Sequence, residues 1–367
     1  MMRQGCAVVL ALAIGAAAPA SEAAEPKRPQ LADVVKQSVD THIIPSYAAL
    51  RDDTEKLKSD VEAWCAAEGG DGEAHAAVDR SFRKVVTSWA AVAFIRFGPA
   101  RKDSRGQRLA FFPDPRGVAA RQLRAALSRK DPKLIEPETF AQQSAAIQGL
   151  PALELLLTQD GTQSTKLDAY ACALAVRISA NVATLSRELA EEWTGENGWR
   201  ATMVKPSPEN AVYKSHEESA AELVRTLLTG LQIVRDQGFD AVLQGMEKGR
   251  PPSGLPFKHS RLATDYLAAS IRSCAALTTA LRLGDFVKDD PKVGWMSGWI
   301  GNALRSMESD AKALPLDAEP IVVGTQSKNL SNVRRGRFYA NGLRQIIGRQ
   351  IAPTAGLTLG FNELDGD

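Results

Sequence analysis

Apolar residues along this chain recur at steps of three and four and almost nowhere alternate, which is the rhythm of one-sided helices rather than strands. The pattern predicts a helical stretch over Leu31–Cys65, interrupted at Ile44-Pro45 because proline lacks a backbone donor and crowds the preceding turn. Gly69-Gly70-Asp71-Gly72 breaks it, and a second helix follows from Glu73 to Phe97, closed by Gly98-Pro99. Phe111-Phe112-Pro113-Asp114-Pro115-Arg116-Gly117 is too rich in proline for a helix. Asp114 with Pro115 then reads as the cap and first-turn proline of a helix reaching about Lys130. Pro137–Leu157 and Ser164–Trp193 complete five helical segments.

Thr194–Pro208 gathers glycine and proline with little apolar rhythm and forms a natural boundary. Beyond it, Glu209–Asp236, Ser260–Leu283, Pro291–Ala313 and Ser327–Gln350 read as helices, and Ile321-Val322-Val323 is the one strand-like run. The expected fold class is all-α: two tandem antiparallel helical bundles of four or five helices, residues 24–197 and 198–367. A faint echo between Ile147-Gln148-Gly149-Leu150 and Leu228-Thr229-Gly230-Leu231 is compatible with duplication.

Composition narrows the function more than the fold. The 367 residues are 44% hydrophobic, with 45 Lys and Arg against 43 Asp and Glu, a net charge of +2. That is a globular balance with no basic footprint for nucleic acid. Arg3, the apolar run Cys6–Ala18 and the small residues Ala18-Pro19-Ala20 and Ser21-Glu22-Ala23 read as a secretory signal peptide over residues 1–23, with no transmembrane span after its removal. The expected compartment is the periplasm or cell envelope. There Cys65 and Cys172 suit a disulfide and Cys274 a buried free thiol, although three buried thiols fit the spacing equally.

Chemistry in a bundle is sought where charge falls on the buried stripe. Ile147, Leu150, Glu154 and Leu157 follow steps of three, four and three, which places the Glu154 carboxylate among core residues. Burying it without a partner is costly, so it requires a cation, a ligand or a cleft. Pro151 lies one turn earlier and predicts a kink. Val85, Trp89, Val92 and Arg96 form a matching stripe, so a structural ion pair between Arg96 and Glu154 and a ligand site both remain open. Asp114 reads first as a helix cap, with Arg116 free to face a cleft. The four histidines, His42, His75, His216 and His259, form no metal motif with one another; His42 and His259 are the better ligand candidates. Leu357, Leu359 and Phe361 alternate as a packed terminal strip, followed by Asp365 and Asp367, after a helix rich in arginine.

Taken in order, Ile44-Pro45-Ser46-Tyr47, Arg96-Phe97-Gly98-Pro99, Phe111 to Gly117, Gln148-Gly149-Leu150-Pro151-Ala152-Leu153-Glu154 and Gly360-Phe361-Asn362 through Asp367 resemble the imelysin-like family over nearly the whole mature chain. The resemblance implies two duplicated four-helix bundles with a site at their interface, in bacterial envelope proteins linked to iron or haem uptake, some of them classed as metallopeptidases. That family carries Gly-x-His-x-x-Glu. Here the segment is Gly149-Leu150-Pro151-Ala152-Leu153-Glu154, with proline in place of the histidine. A zinc hydrolase takes three protein ligands and an open position, so the change argues against peptidase chemistry.

The expectation is therefore an exported, non-catalytic binding protein with iron or haem as the candidate cofactor. Glu154, Arg96, Asp114, Arg116, Gly149 and Pro151 would form its ligand site, and Glu154, His42 and His259 are its candidate metal ligands. The alternatives are a metal-dependent peptidase of the same type and a module that docks an envelope protein partner.

Overall fold

Tyr47, Leu50, Leu57, Val61 and Trp64 recur down one side of Ile44–Ala66 and are all buried, which fixes that helix as a core element. The computed structural model describes residues 28–67, 72–159, 162–163, 167–249, 252, 254–314, 316 and 327–360. Among them, ten helices of eight residues or more are α1 (Leu31–Ser38), α2 (Ile44–Ala66), α3 (Gly72–Val92), α4 (Val118–Arg129), α5 (Leu150–Leu157), α6 (Ala169–Thr194), α7 (His216–Val234), α8 (Ala263–Ala280), α9 (Trp295–Lys312) and α10 (Ser327–Ile346). The only sheet among these residues pairs Thr158–Gln159 with Thr162–Gln163. The protein is all-α.

In the N-terminal part α2 packs between α3 and α6, and in the C-terminal part α8 packs on α7 and α9, with α10 closing against α9 and α7. The two parts meet along α3 and α8 and along α1 and α7, and one buried apolar cluster runs through both. Trp193 at the end of α6 lies fully buried between Tyr47 and Phe97, with ring centroids 5.9 and 5.8 Å away. Cys65 and Cys172 form a disulfide from α2 to α6, and Cys274 is a buried free thiol. A stretch within Ala169–Val204 is long and apolar enough to cross a membrane; in this fold it is α6, packed on α2 and α5.

Several predicted boundaries move, each for a visible reason. Ile44-Pro45 does interrupt regular helix: Val39–Ile43 form a wider π-helical turn, and Pro45 sits in the first turn of α2, where no backbone donor is missed. The helix expected to reach Phe97 stops at Val92, because the chain turns to bury Phe94, Ile95 and Phe97. The expected Pro137–Leu157 helix is broken into Pro137–Phe140, the single turn Ala145–Ile147, and α5. Gly149 sits at the break: a Cβ there would lie 2.3 Å from the Leu109 carbonyl oxygen, so only glycine admits that close backbone approach. Consequently Pro151 occupies the first turn of α5 and makes no kink. The Gly149 and Gly230 echo also separates, since Gly149 precedes a helix and Gly230 lies inside α7.

Leu357 is buried, Thr358 is exposed and Leu359 is partly buried, as the alternating terminal strip requires. Residues 1–23, read as a signal peptide in the sequence, Gly69–Asp71, Ile321–Val323 and Phe361–Asp367 lie outside the described residues.

Candidate functional site

Where α3, α5 and the Phe111–Ala120 segment of the N-terminal part face residues 254–266 of the C-terminal part, they enclose a cleft of about 500 Å³. Its walls are mainly aromatic and proline-rich, with Trp89, Phe111, Phe112, Phe257, Tyr266 and Pro151 among them. Asp114, Glu154, Lys258 and His259 supply the ionisable groups.

Glu154 is placed by α5, whose Leu150, Leu153 and Leu157 are buried in the core and carry the carboxylate inward with them. It is 4% exposed. Its Oε1 accepts from the Ser260 backbone N–H and from the Ser260 hydroxyl, each at 2.8 Å. Burial raises the carboxyl from 4.5 to about 7; the Ser260 N–H and hydroxyl, the His259 N–H and the Lys258 charge oppose that rise without cancelling it. Desolvation wins because those donors are mostly neutral dipoles, while removal from water penalises the whole charge.

Asp114 is the cap that its sequence context suggested, but the helix begins later. Its Oδ1 accepts from Val118 N–H at 2.8 Å and its Oδ2 from Ala119 N–H at 2.9 Å, so α4 starts at Val118 rather than Pro115. Gly117, at φ +60°, makes the turn that brings the carboxylate back over these donors. Both carboxylates on the cleft therefore already hold protein donors.

The remaining candidates divide. Pro151 and His259 line the cleft, and burial lowers the His259 imidazole pKa. Gly149 does not line it and serves the close packing described above. Arg116 is exposed and lies off the lining. Arg96 falls beyond the end of α3, and no ion pair joins it to Glu154, whose carboxylate is met by Ser260 instead. Its charge reaches Tyr266 on the cleft wall, where it offsets part of the burial that raises that phenol to about 12. His42 does not line the cleft. It is 6% exposed in the π-helical turn before α2, with Nε2 3.3 Å from the Ser273 hydroxyl oxygen, and burial lowers it to about 4.

The sequence reading missed Ser260, Lys258 and the aromatic wall. Lys258-His259-Ser260, a polar triplet after an apolar proline loop, was the available signal. Among the described residues no group of three His, Cys, Asp or Glu side chains is placed to hold a metal ion. Glu154 and His259, with Asp114 engaged as a cap, do not fit a zinc hydrolase centre.

The family model for imelysin matches residues 43–322, a span that includes both walls of this cleft. The chain belongs to the imelysin family. Its fold is similar to that of an imelysin-like protein from Psychrobacter arcticum 273-4, with a TM-score of 0.73 and 18% identity over 91% of this chain and 99% of that one. It is also similar to a Parabacteroides distasonis ATCC 8503 protein described as an iron-regulated protein A precursor, with a TM-score of 0.69 and 13% identity over 93% and 98% of the two chains. No curated protein matches the chain significantly. Within the imelysin family, then, this member keeps the glutamate of Gly-x-His-x-x-Glu on the cleft wall and presents Pro151 where the histidine would be.

Proposed function

We propose that this imelysin-family protein is an exported, non-catalytic binding protein of the cell envelope that handles iron as an organic chelate or haem. The cleft around Glu154 would be its binding site. The donor set carries this reading. Glu154 and His259 are too few to strip and hold a bare ion, whereas the aromatic and proline-rich walls suit a flat or apolar organic body. The signal-like first 23 residues support export, and the iron-regulated Parabacteroides protein supports the link to iron. Lys258 and His259 would meet acidic groups on such a ligand, and Tyr266, within reach of the Arg96 charge, would add an aromatic surface to the same wall.

The deciding experiment is metal and absorbance analysis of the protein purified from its native envelope, repeated with Glu154→Gln and His259→Ala. Iron retained together with an organic chromophore, and reduced in the variants, is the expected result. Protein carrying neither, or one that cleaves peptides in a chelator-sensitive way, would overturn the proposal in favour of a partner-docking or peptidase role respectively.

A further inference from the structure

Outside the cleft lining, α9 and α10 pack against each other and leave aromatic side chains in solvent. Trp295 is 58% and Phe338 65% exposed. Between them lies a partly buried aromatic seam: Trp299 meets Tyr339 at 6.2 Å, and Tyr339 meets Phe338 at 5.7 Å. Gly342 permits this approach, since a Cβ there would lie 2.8 Å from the Trp299 ring. Exposed aromatics on neighbouring helices form a patch, which a lone exposed side chain does not.

The charge along the exposed lines of the two helices has one sign. On α10 and the π-helical turn that continues it, Ile347–Ile351, the exposed line Arg334, Phe338, Gln345 and Arg349 carries two cations, and no acidic residue occurs between Ile321 and Gly360. On α9 the exposed line Trp295, Gly298, Asn302 and Arg305 carries one cation and no acid. The acids of α9 are directed elsewhere: Glu308 is held by Arg272 and Lys312, and Asp310 is buried against Arg335. In the turn before α9, Lys288 and Lys292 balance Asp289 and Asp290. The chain as a whole is only +2, so this basic border is local.

Tryptophan and phenylalanine flanked by arginine match the chemistry of a bilayer interface, where rings enter the headgroup layer and guanidinium groups meet anionic phosphates. We infer that the Trp295–Phe338 face docks reversibly on the surface of an anionic lipid bilayer. An acidic protein surface would match the arginines, but not the two large rings standing free on separate helices. Docking would hold the protein at a membrane without a spanning helix, through a face that shares no residue with the Glu154 cleft.

The test is co-sedimentation of the signal-free full chain with vesicles of three parts phosphatidylglycerol to one of phosphatidylcholine, beside vesicles of phosphatidylcholine alone. At low salt the anionic vesicles should retain the protein at least tenfold better, with retention falling as salt rises. Trp295→Ser with Phe338→Ser, and separately Arg334→Gln with Arg349→Gln, should each cut retention about tenfold. Arg187→Gln, on α6 away from this face, should leave it unchanged. Equal retention on both vesicle types, an aromatic double variant that still binds with native helical content, or loss of self-association rather than of lipid binding in that variant would each overturn the proposal.

Discussion

Glu154 and Ser260 stand 106 residues apart in sequence, yet the carboxylate accepts both the backbone N–H and the hydroxyl of the serine. The bond crosses the seam between the two parts of the fold at the floor of the cleft. Its strength depends on the protonation of a single buried group.

That dependence predicts a slope in stability. The folded carboxyl keeps its proton to about pH 7, while in the unfolded chain it releases it near 4.5. Its contribution is therefore complete below pH 4.5 and is lost as pH rises through 7, by on the order of 3 kcal/mol. Between pH 4.5 and 8 the unfolding free energy of wild type, from denaturant titration, should fall by about that amount more than that of Glu154→Gln. Parallel pH profiles would refute the assignment.

His42 acts from the other side. Burial keeps its imidazole neutral down to about pH 4, whereas the unfolded chain protonates it near 6.5. Its contribution is full above pH 6.5 and is lost as pH falls through 4, again by on the order of 3 kcal/mol. His42→Gln should flatten the acid limb of the stability curve and leave ligand binding in the cleft intact, because His42 does not line it. A changed cleft affinity with an unchanged acid limb would contradict this.

Restoring the family histidine should add a metal site. Pro151 already lines the cleft in the first turn of α5, three residues before Glu154 and on the wall that faces His259. Pro151→His would bring two imidazoles and a carboxylate to one cavity, the minimum for a divalent site. Titration calorimetry with zinc should show stoichiometric binding at least tenfold tighter than in wild type. Equal affinities would mean that the missing histidine is not what withholds metal from this member.

Gly149→Ala tests packing rather than chemistry. The added methyl would meet the Leu109 and Arg108 carbonyl oxygens at 2.3 and 2.4 Å, and backbone cannot yield as a side-chain tip does. A loss of about 3 kcal/mol in unfolding free energy is expected. An unchanged thermal midpoint would show that α5 can shift, and with it Glu154.

The helices were legible because their apolar steps are long and regular, and Glu154 stood out because a carboxylate broke such a row. Helix ends were less legible. Val92 and Val118 are set by where Phe94 finds the core and where Asp114 finds its donors, both matters of tertiary contact. The Arg96 stripe failed for the same reason: three correct helical steps do not guarantee a fourth once the chain leaves the helix. Ser260 was marked only by its place in the polar triplet Lys258-His259-Ser260, since nothing in a sequence says which serine will meet a glutamate 106 positions away. The Cys65–Cys172 bridge, by contrast, was one of two readings left open, and geometry chose between them.

That bridge has a topological effect. Trp89, Phe111, Asp114, Pro151 and Glu154 all lie between Cys65 and Cys172, so one wall of the cleft belongs to a closed covalent ring. The opposite wall, from Gly254 to Tyr266, lies outside it. A protease that nicks any loop between residues 66 and 171 would leave the fragments covalently linked, whereas a cut near Gly254 would leave the segment that carries Ser260 held to the other wall by packing alone. While the bridge is intact the two sides of one cavity thus differ in how they survive a cut, and a cut near Gly254 would leave the Glu154–Ser260 bonds joining two separate chains.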